Sequence, residues 1–229
     1  MKFGVVTFPG SNCDQDMVYV LKDLMGQEVV ELWHKDTDLQ GADFIVIPGG
    51  FSYGDYLRSG AIAKFSPIME SVIAHANNGG YVMGVCNGFQ ILTESGLLEG
   101  ALLHNDTQKF ICKNVYLKPV SQTAAPTKDL HTDQAYQIPI AHGEGRFYAD
   151  DATMASLQAN DQILFTYCAA DGSQDASTNP NGSLQHIAGS TNRNKNVFGM
   201  MPHPERAIAP ELGGSDGLPM FRSLLEALA

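Results

Sequence analysis

Gly84-Val85-Cys86-Asn87-Gly88 places a thiol between two glycines. It stands where a run that reads as a strand, Tyr81 to Val85, meets one that reads as a helix, from about Asn87 to Ser95. Gly-x-nucleophile-x-Gly in a strand-to-helix setting is the pattern of a nucleophile elbow. The glycines leave room for a tight turn that lifts the middle side chain above the sheet. A thiol there also lies at a helix start, where free N–H groups and the helix dipole favour the thiolate. A buried structural cysteine is the competing reading, since free cysteines are usually packed away. The strand-turn-helix frame favours the nucleophile.

A nucleophile needs a base, and the base needs an orienting group. Met201-Pro202-His203-Pro204-Glu205 offers both. Prolines on each side of His203 are expected to hold the segment extended, so that residues two apart share a side. Glu205 then orients the imidazole and stabilises its charged form, the logic of a Cys-His-Glu triad. A surface turn explains this segment equally well on its own; beside the elbow, the triad is the better account. Thiolate attack on a carbonyl also creates an oxyanion, which needs preorganised N–H donors. Pro48-Gly49-Gly50-Phe51 follows a predicted strand, and a diglycine turn lets backbone donors approach closely. The N–H of Asn87, next after the thiol, is a second donor. A plain loop is the alternative for Gly49 and Gly50.

Other signals are weaker. His142-Gly143-Glu144-Gly145-Arg146 is polar and Gly-rich, so it either touches substrate or simply turns. There is no Gly-x-x-x-x-Gly-Lys-Ser/Thr and no Gly-x-Gly-x-x-Gly, so a nucleotide-binding loop is not expected. The remaining histidines, His34, His75, His104, His131 and His186, lack ligand spacing, and no metal site is expected. Cys13, Cys112 and Cys168 have no comparable frame and read as ordinary thiols.

The elements that must position these groups alternate in the first half. Phe3–Phe8, Val29–Trp33, Asp43–Pro48 and Tyr81–Val85 read as strands. Asp14–Met25, closed by Gly26, and Pro67–Ala76, with Ser66 as N-cap, read as helices between them. This rhythm predicts an α/β fold with a mainly parallel sheet flanked by helices. In the second half Val115–Val120, Gln137–Ala141, Ile163–Cys168, Leu184–Gly189 and Val197–Met201 read as strands, and Phe221–Leu228 as a terminal helix. No repeat or linker interrupts the chain. A single domain over residues 1–229 is expected, its later strands extending the same sheet, partly antiparallel.

Composition excludes several classes. The 229 residues are 44 % hydrophobic and 17 % charged, enough apolar material for a large core, so disordered and fibrous classes are out. Twenty-five acidic against 14 basic residues give a net charge of −11, which repels phosphate backbones and anionic membranes. Four cysteines without a Cys-x-x-Cys pair do not make a disulfide scaffold or a zinc knuckle. The opening apolar stretch is broken by Pro9-Gly10 and reads as a strand rather than a signal peptide. A cytoplasmic protein with reduced thiols is expected, with no nucleic acid and no membrane among its partners.

The elbow, the Pro-Gly-Gly segment and the late His-x-Glu pair together resemble the class I glutamine amidotransferases, whose core is flavodoxin-like. The resemblance runs from about residue 3 to the C-terminus. It is closest to small glutaminase subunits of a multi-subunit, amidine-forming ligase of purine biosynthesis. Phe8-Pro9-Gly10-Ser11-Asn12-Cys13, Pro48-Gly49-Gly50-Phe51-Ser52-Tyr53-Gly54-Asp55, Cys86-Asn87-Gly88-Phe89-Gln90, His142-Gly143-Glu144-Gly145, Pro180-Asn181-Gly182-Ser183 and Met201-Pro202-His203-Pro204-Glu205-Arg206 carry it. The Ser52–Asp55 stretch is its most specific mark, and Glu99, where proline is expected, is a mild departure. The resemblance implies that Cys86 attacks the side-chain amide of L-glutamine and that His203 protonates the departing ammonia. It also implies that Gln90 and the His142 loop hold the substrate. No cofactor is expected on this chain. ATP and Mg2+ belong to a large synthetase subunit that receives the ammonia, beside a small accessory subunit. A cysteine hydrolase or deglycase of the same broad fold is the nearest rival. It leaves the Pro-His-Pro-Glu pair unexplained, and assays with glutamine and with a glycated substrate separate the two. A non-catalytic assembly module is the other rival, against which the intact cysteine, histidine and glutamate argue.

Overall fold

Short apolar runs that end in Pro-Gly or Gly-Gly become strands, and the amphipathic stretches between them become helices. The computed structural model describes residues 1–228. In chain order the elements are β1 (Lys2–Thr7), α1 (Asp14–Val18), β2 (Glu28–Trp33), β3 (Phe44–Ile47), α2 (Pro67–Asn77), β4 (Tyr81–Val85) and α3 (Asn87–Glu94). They continue with β5 (Ala101–Leu103), β6 (Ile111–Pro119), β7 (Tyr136–His142), β8 (Arg146–Tyr148), α4 (Asp151–Ala159), β9 (Ile163–Cys168), β10 (Ile187–Thr191), β11 (Val197–Met200) and α5 (Leu218–Leu228). Two compact units result. One holds Met1–Leu98 with Asn196–Gly199, and the other holds Glu99–Lys195 with Met200–Ala229.

The first unit is built on a parallel sheet ordered β2-β1-β3-β4. β3 is buried along its whole length and β4 nearly so. Continuous burial is what a parallel strand covered on both faces requires, and it explains why these runs do not alternate polar with apolar. The expected helix Asp14–Met25 divides. After Val18 the chain widens into a π-helical stretch, Tyr19–Leu24, in which the Met25 N–H donates to the Val20 carbonyl. The wider turn buries Val20 and Leu21 and leaves Leu24 exposed, a departure from the regular stripe. Ser66 does precede α2, but its side chain makes no capping bond. Its hydroxyl instead meets the Tyr53 hydroxyl at 2.8 Å.

The second unit carries an antiparallel sheet ordered β10-β9-β6-β7 and a two-stranded ribbon, β5-β8. β7 alternates buried and half-buried positions, as a strand with one covered face should. The strand expected at Leu184–Gly189 starts later. Leu184–His186 form a tight turn with Gln185 and His186 at positive φ, and β10 begins at Ile187. The ribbon and α4 were not expected from the sequence. The signal for α4 was present in Asp150, whose carboxylate accepts the Thr153 N–H at 2.8 Å as an N-cap. Helix α5 is pinned by Ser223, whose Oγ donates to the Ala125 carbonyl and accepts the Asp129 N–H.

Candidate active site

In the first unit the backbone does at Cys86 what the glycine pattern demands. Cys86 stands between β4 and α3 with φ 50° and ψ −104°, a conformation costly for a residue with a side chain. Such strain persists only where the surroundings enforce it. A side-chain carbon on Gly88 would lie 1.9 Å from the Ile47 carbonyl oxygen, and one on Gly84 would lie 2.5 Å from Gly88. The first turn of α3 is therefore pressed onto the end of β3 and against β4, and nothing larger than glycine fits at positions 84 and 88. Cys86 itself is 4 % exposed.

Gly49 and Gly50 follow β3. The Gly49 carbonyl accepts the N–H groups of Asn12 and Cys13, and the Phe51 N–H donates to the Gly10 carbonyl. Gly50 has φ 153°, and Ser11 bridges to it in antiparallel fashion. The Gly10–Cys13 stretch thus braces the diglycine segment, a role that its residue types alone did not reveal. Beyond it, the Ser52 N–H donates to Asn87 Oδ1 at 3.1 Å. Asn87 Nδ2 donates to Gln90 Oε1 at 2.9 Å and to Asp55 Oδ1 at 3.3 Å. The structure therefore brings Asn87, Gln90 and the loop after Gly50 into one network. Tyr53 ties the same loop down through its hydroxyl, 2.6 Å from His34 Nδ1. Burial lowers the pKa of His34; Lys35 lowers it further and Asp36 opposes.

In the second unit His203 Nδ1 meets Glu205 Oε1 at 2.7 Å. Both residues are buried, at 2 % and 1 % exposure. The geometry differs from the expected extended segment. Pro204–Arg206 form a 3-10 turn, and the turn rather than a two-residue repeat carries the carboxylate back to the ring. Proline suits that first position because its fixed φ is helical and its missing N–H is not needed there. The His203 N–H donates to the Pro139 carbonyl of β7 at 2.9 Å, which fastens the histidine to the sheet.

His142 ends β7 in the same unit and is 2 % exposed. Its Nδ1 lies 3.0 Å from Asn105 Oδ1, which also accepts the Gly145 N–H. Asn105 Nδ2 donates to the Lys109 and His142 carbonyls, so Oδ1 is the acceptor and His142 Nδ1 carries the proton. Burial first, then the charge of a protonated His203, push its pKa down to about 4. His142 is a neutral imidazole at neutral pH. A side-chain carbon on Gly145 would sit 2.3 Å from the ring, so the Gly-rich turn folds directly over the imidazole. Asn105 gave no sequence signal, because it stands 37 residues from its partner.

Taken chemically, these groups are a strained cysteine at a helix start, a braced diglycine turn and a buried His–Glu pair. A family model described as a CobB/CobQ-like glutamine amidotransferase domain matches residues 1–212. The chain belongs to that glutamine amidotransferase family. It is 56 % identical to phosphoribosylformylglycinamidine synthase subunit PurQ of a Nostoc species over 226 residues, 99 % of this chain and 97 % of that protein. The subunit of the same name from Moorella thermoacetica is also 56 % identical, over 99 % of this chain and 96 % of its own. Among solved structures, a chain of PurLQS from Thermotoga maritima matches with TM-score 0.87 and 41 % identity, covering 100 % of this chain and 99 % of that one. A glutamine amidotransferase from the same organism, 14 % identical, aligns with TM-score 0.60 over 99 % of this chain and 96 % of its own, a likeness of fold. The amidotransferase is thus an enzyme of the α/β class expected, with a mostly parallel sheet flanked by helices. No helix among its described residues is long and apolar enough to cross a membrane.

Proposed function

We propose that this chain is the glutaminase subunit of phosphoribosylformylglycinamidine synthase. The Cys86 thiolate attacks the carboxamide carbon of L-glutamine. The oxyanion is held by the Asn87 N–H and by the Gly49-Gly50 segment, where preorganised donors give their largest effect. His203 protonates ammonia as it leaves. It then takes a proton from the water that hydrolyses the Cys86 thioester to glutamate and free thiol. Glu205 holds Nδ1, so Nε2 is the nitrogen that moves protons. By the family resemblance, Gln90 and the turn after His142 help hold L-glutamine. With His142 neutral, no second positive charge competes with protonation of His203.

Making an amidine from an amide requires activation of the amide oxygen. In this reading a large synthetase subunit performs that step with ATP and Mg2+, and receives the ammonia beside a small accessory subunit. The assembly works in the cytoplasm. The observation that carries the reading is the 56 % identity, across nearly the whole of both chains, with proteins named as this subunit. The test is Cys86→Ala in the assembled complex. Without the thiolate no thioester forms, so glutamine-dependent synthesis should collapse while synthesis from added ammonium salt survives. Loss of both activities in a folded, assembled variant would contradict the division of labour.

A further inference from the structure

We propose that the Asn87 side chain is a positioning residue that locks the two oxyanion donors of the site to one another. The inference rests on the glutaminase reading above and adds a residue role to it. Asn87 contributes its backbone N–H directly after the nucleophile, yet its side chain is engaged elsewhere and is almost fully buried, at 2 % exposure. Its amide orientation follows from chemistry. The Ser52 N–H can only donate, so the atom 3.1 Å away is the carbonyl oxygen Oδ1. Nδ2 then faces two acceptors, Gln90 Oε1 at 2.9 Å and Asp55 Oδ1 at 3.3 Å. Ser52 is two residues after Gly50. One side chain therefore joins the start of α3, which carries the Asn87 donor, to the loop that continues the Gly49-Gly50 donor segment.

The join matters because the two donor segments are otherwise braced separately, the start of α3 by β3 and β4 and the diglycine turn by the Gly10–Cys13 stretch. Gly50 is at φ 153°, a conformation that favours glycine. The loop beyond it holds Tyr53, Asp55 and Leu57 at positive φ, conformations that persist only when neighbours enforce them. The Asp55 carboxylate receives the Asn87 amide, and this bond spans the strained stretch. An oxyanion hole is useful only when its donors are fixed before charge develops, since reorganisation during reaction cancels the gain.

The test is a reversal of hydrogen-bond polarity, in the assembled complex. Asn87→Asp keeps the backbone N–H and the acceptor for Ser52, but sets a carboxylate against Asp55 and the Gln90 carbonyl oxygen. Glutamine hydrolysis should lose about 10- to 100-fold in kcat, with KM within about threefold, because misplaced donors weaken the transition state more than substrate binding. Asp55→Asn alone should be mild, since its amide retains an acceptor oxygen. The double variant Asn87→Asp/Asp55→Asn restores one donor facing one acceptor, and Gln90 can turn its amide to donate. It should recover to within about threefold of Asp55→Asn.

Alkylation of Cys86 by iodoacetamide supplies the second readout. That displacement at a saturated carbon forms no oxyanion, so its rate should stay within about threefold in every variant that folds, by circular dichroism. Should Asn87→Asp fail to fold, Asn87→Ala, which adds no charge, replaces it with the same expected loss of kcat and the same unchanged alkylation. Wild-type kcat in Asn87→Asp or Asn87→Ala overturns the proposal. So does a double variant no better than Asn87→Asp, or alkylation that falls in step with kcat. Wild-type alkylation that glutamine does not slow overturns the glutaminase reading itself, and the positioning role with it.

Discussion

His203 and Glu205 differ in what their loss should remove. The histidine moves protons in both halves of the proposed reaction, while the carboxylate only holds Nδ1 at 2.7 Å. His203→Asn should therefore cost at least as much glutaminase activity as Glu205→Gln, on the order of 100- to 10,000-fold. Steady-state assays of both variants in the complex check the ranking, and a far weaker Glu205→Gln enzyme would reverse the roles. His142 makes a prediction about acid. Its pKa is 6.5 when unfolded and about 4 when folded, so between these values the unfolded chain binds more protons. Stability is then full above pH 6.5 and declines as pH falls toward 4, with a cost on the order of 3 kcal/mol. Replacing His142 by Gln, which can still donate to Asn105, should flatten that decline. Urea unfolding of both proteins across the window measures it, and equal slopes would remove His142 as the cause.

The strand-turn-helix unit β4-Cys86-α3 lives on two missing side chains. Gly88→Ala puts a methyl carbon 1.9 Å from the Ile47 carbonyl oxygen, in backbone that cannot step aside. Overpacking of this kind costs typically about 1–3 kcal/mol, and here it also moves the helix start that carries Cys86 and Asn87. Gly88→Ala should lower the midpoint of thermal unfolding and abolish most glutamine hydrolysis. Gly214→Ala is the matched control, because a side-chain carbon there meets nothing within 4 Å. A Gly88→Ala protein as active as the control would mean the elbow is looser than its contacts imply. The loop after Gly50 is anchored more broadly. Arg58 pairs with Glu94 at 2.5 Å, and Gly60 packs against the backbone of α3 at Ile91.

At the scale of the whole molecule the expectation is control by assembly. A glutaminase that runs alone wastes glutamine, so the isolated chain should turn over slowly and the complex quickly. Equal turnover in the two forms would argue against such gating. A glutamine-like diazo-ketone should label Cys86 in preference to Cys13, Cys112 and Cys168, and excess glutamine should slow it. Exposure alone predicts the opposite ranking, because Cys112 is the exposed thiol and Cys86 is buried. Peptide mapping after brief treatment decides between positioned and merely accessible chemistry.

Local pattern determined much about this protein. Buried parallel strands announced themselves as continuous apolar runs, because both faces of such a strand are covered. The elbow was legible because only glycine on each side of Cys86 permits the turn that φ 50° requires. The His203–Glu205 pair was legible because its members are two residues apart, although a 3-10 turn and not an extended strand unites them. Tertiary structure decided what depends on distant partners. Asn105 supports His142 across 37 residues, Asn87 holds Ser52 across 35, and the Gly10–Cys13 stretch braces Gly49 through backbone atoms common to every residue type. The widened turn at Tyr19–Leu24 and the late start of β10 were settled by which side chains the core could take. Side-chain types encode local preference within a turn or two. A hydrogen bond made by a backbone carbonyl, or between residues dozens of positions apart, leaves no periodic trace and exists only once the chain has closed on itself.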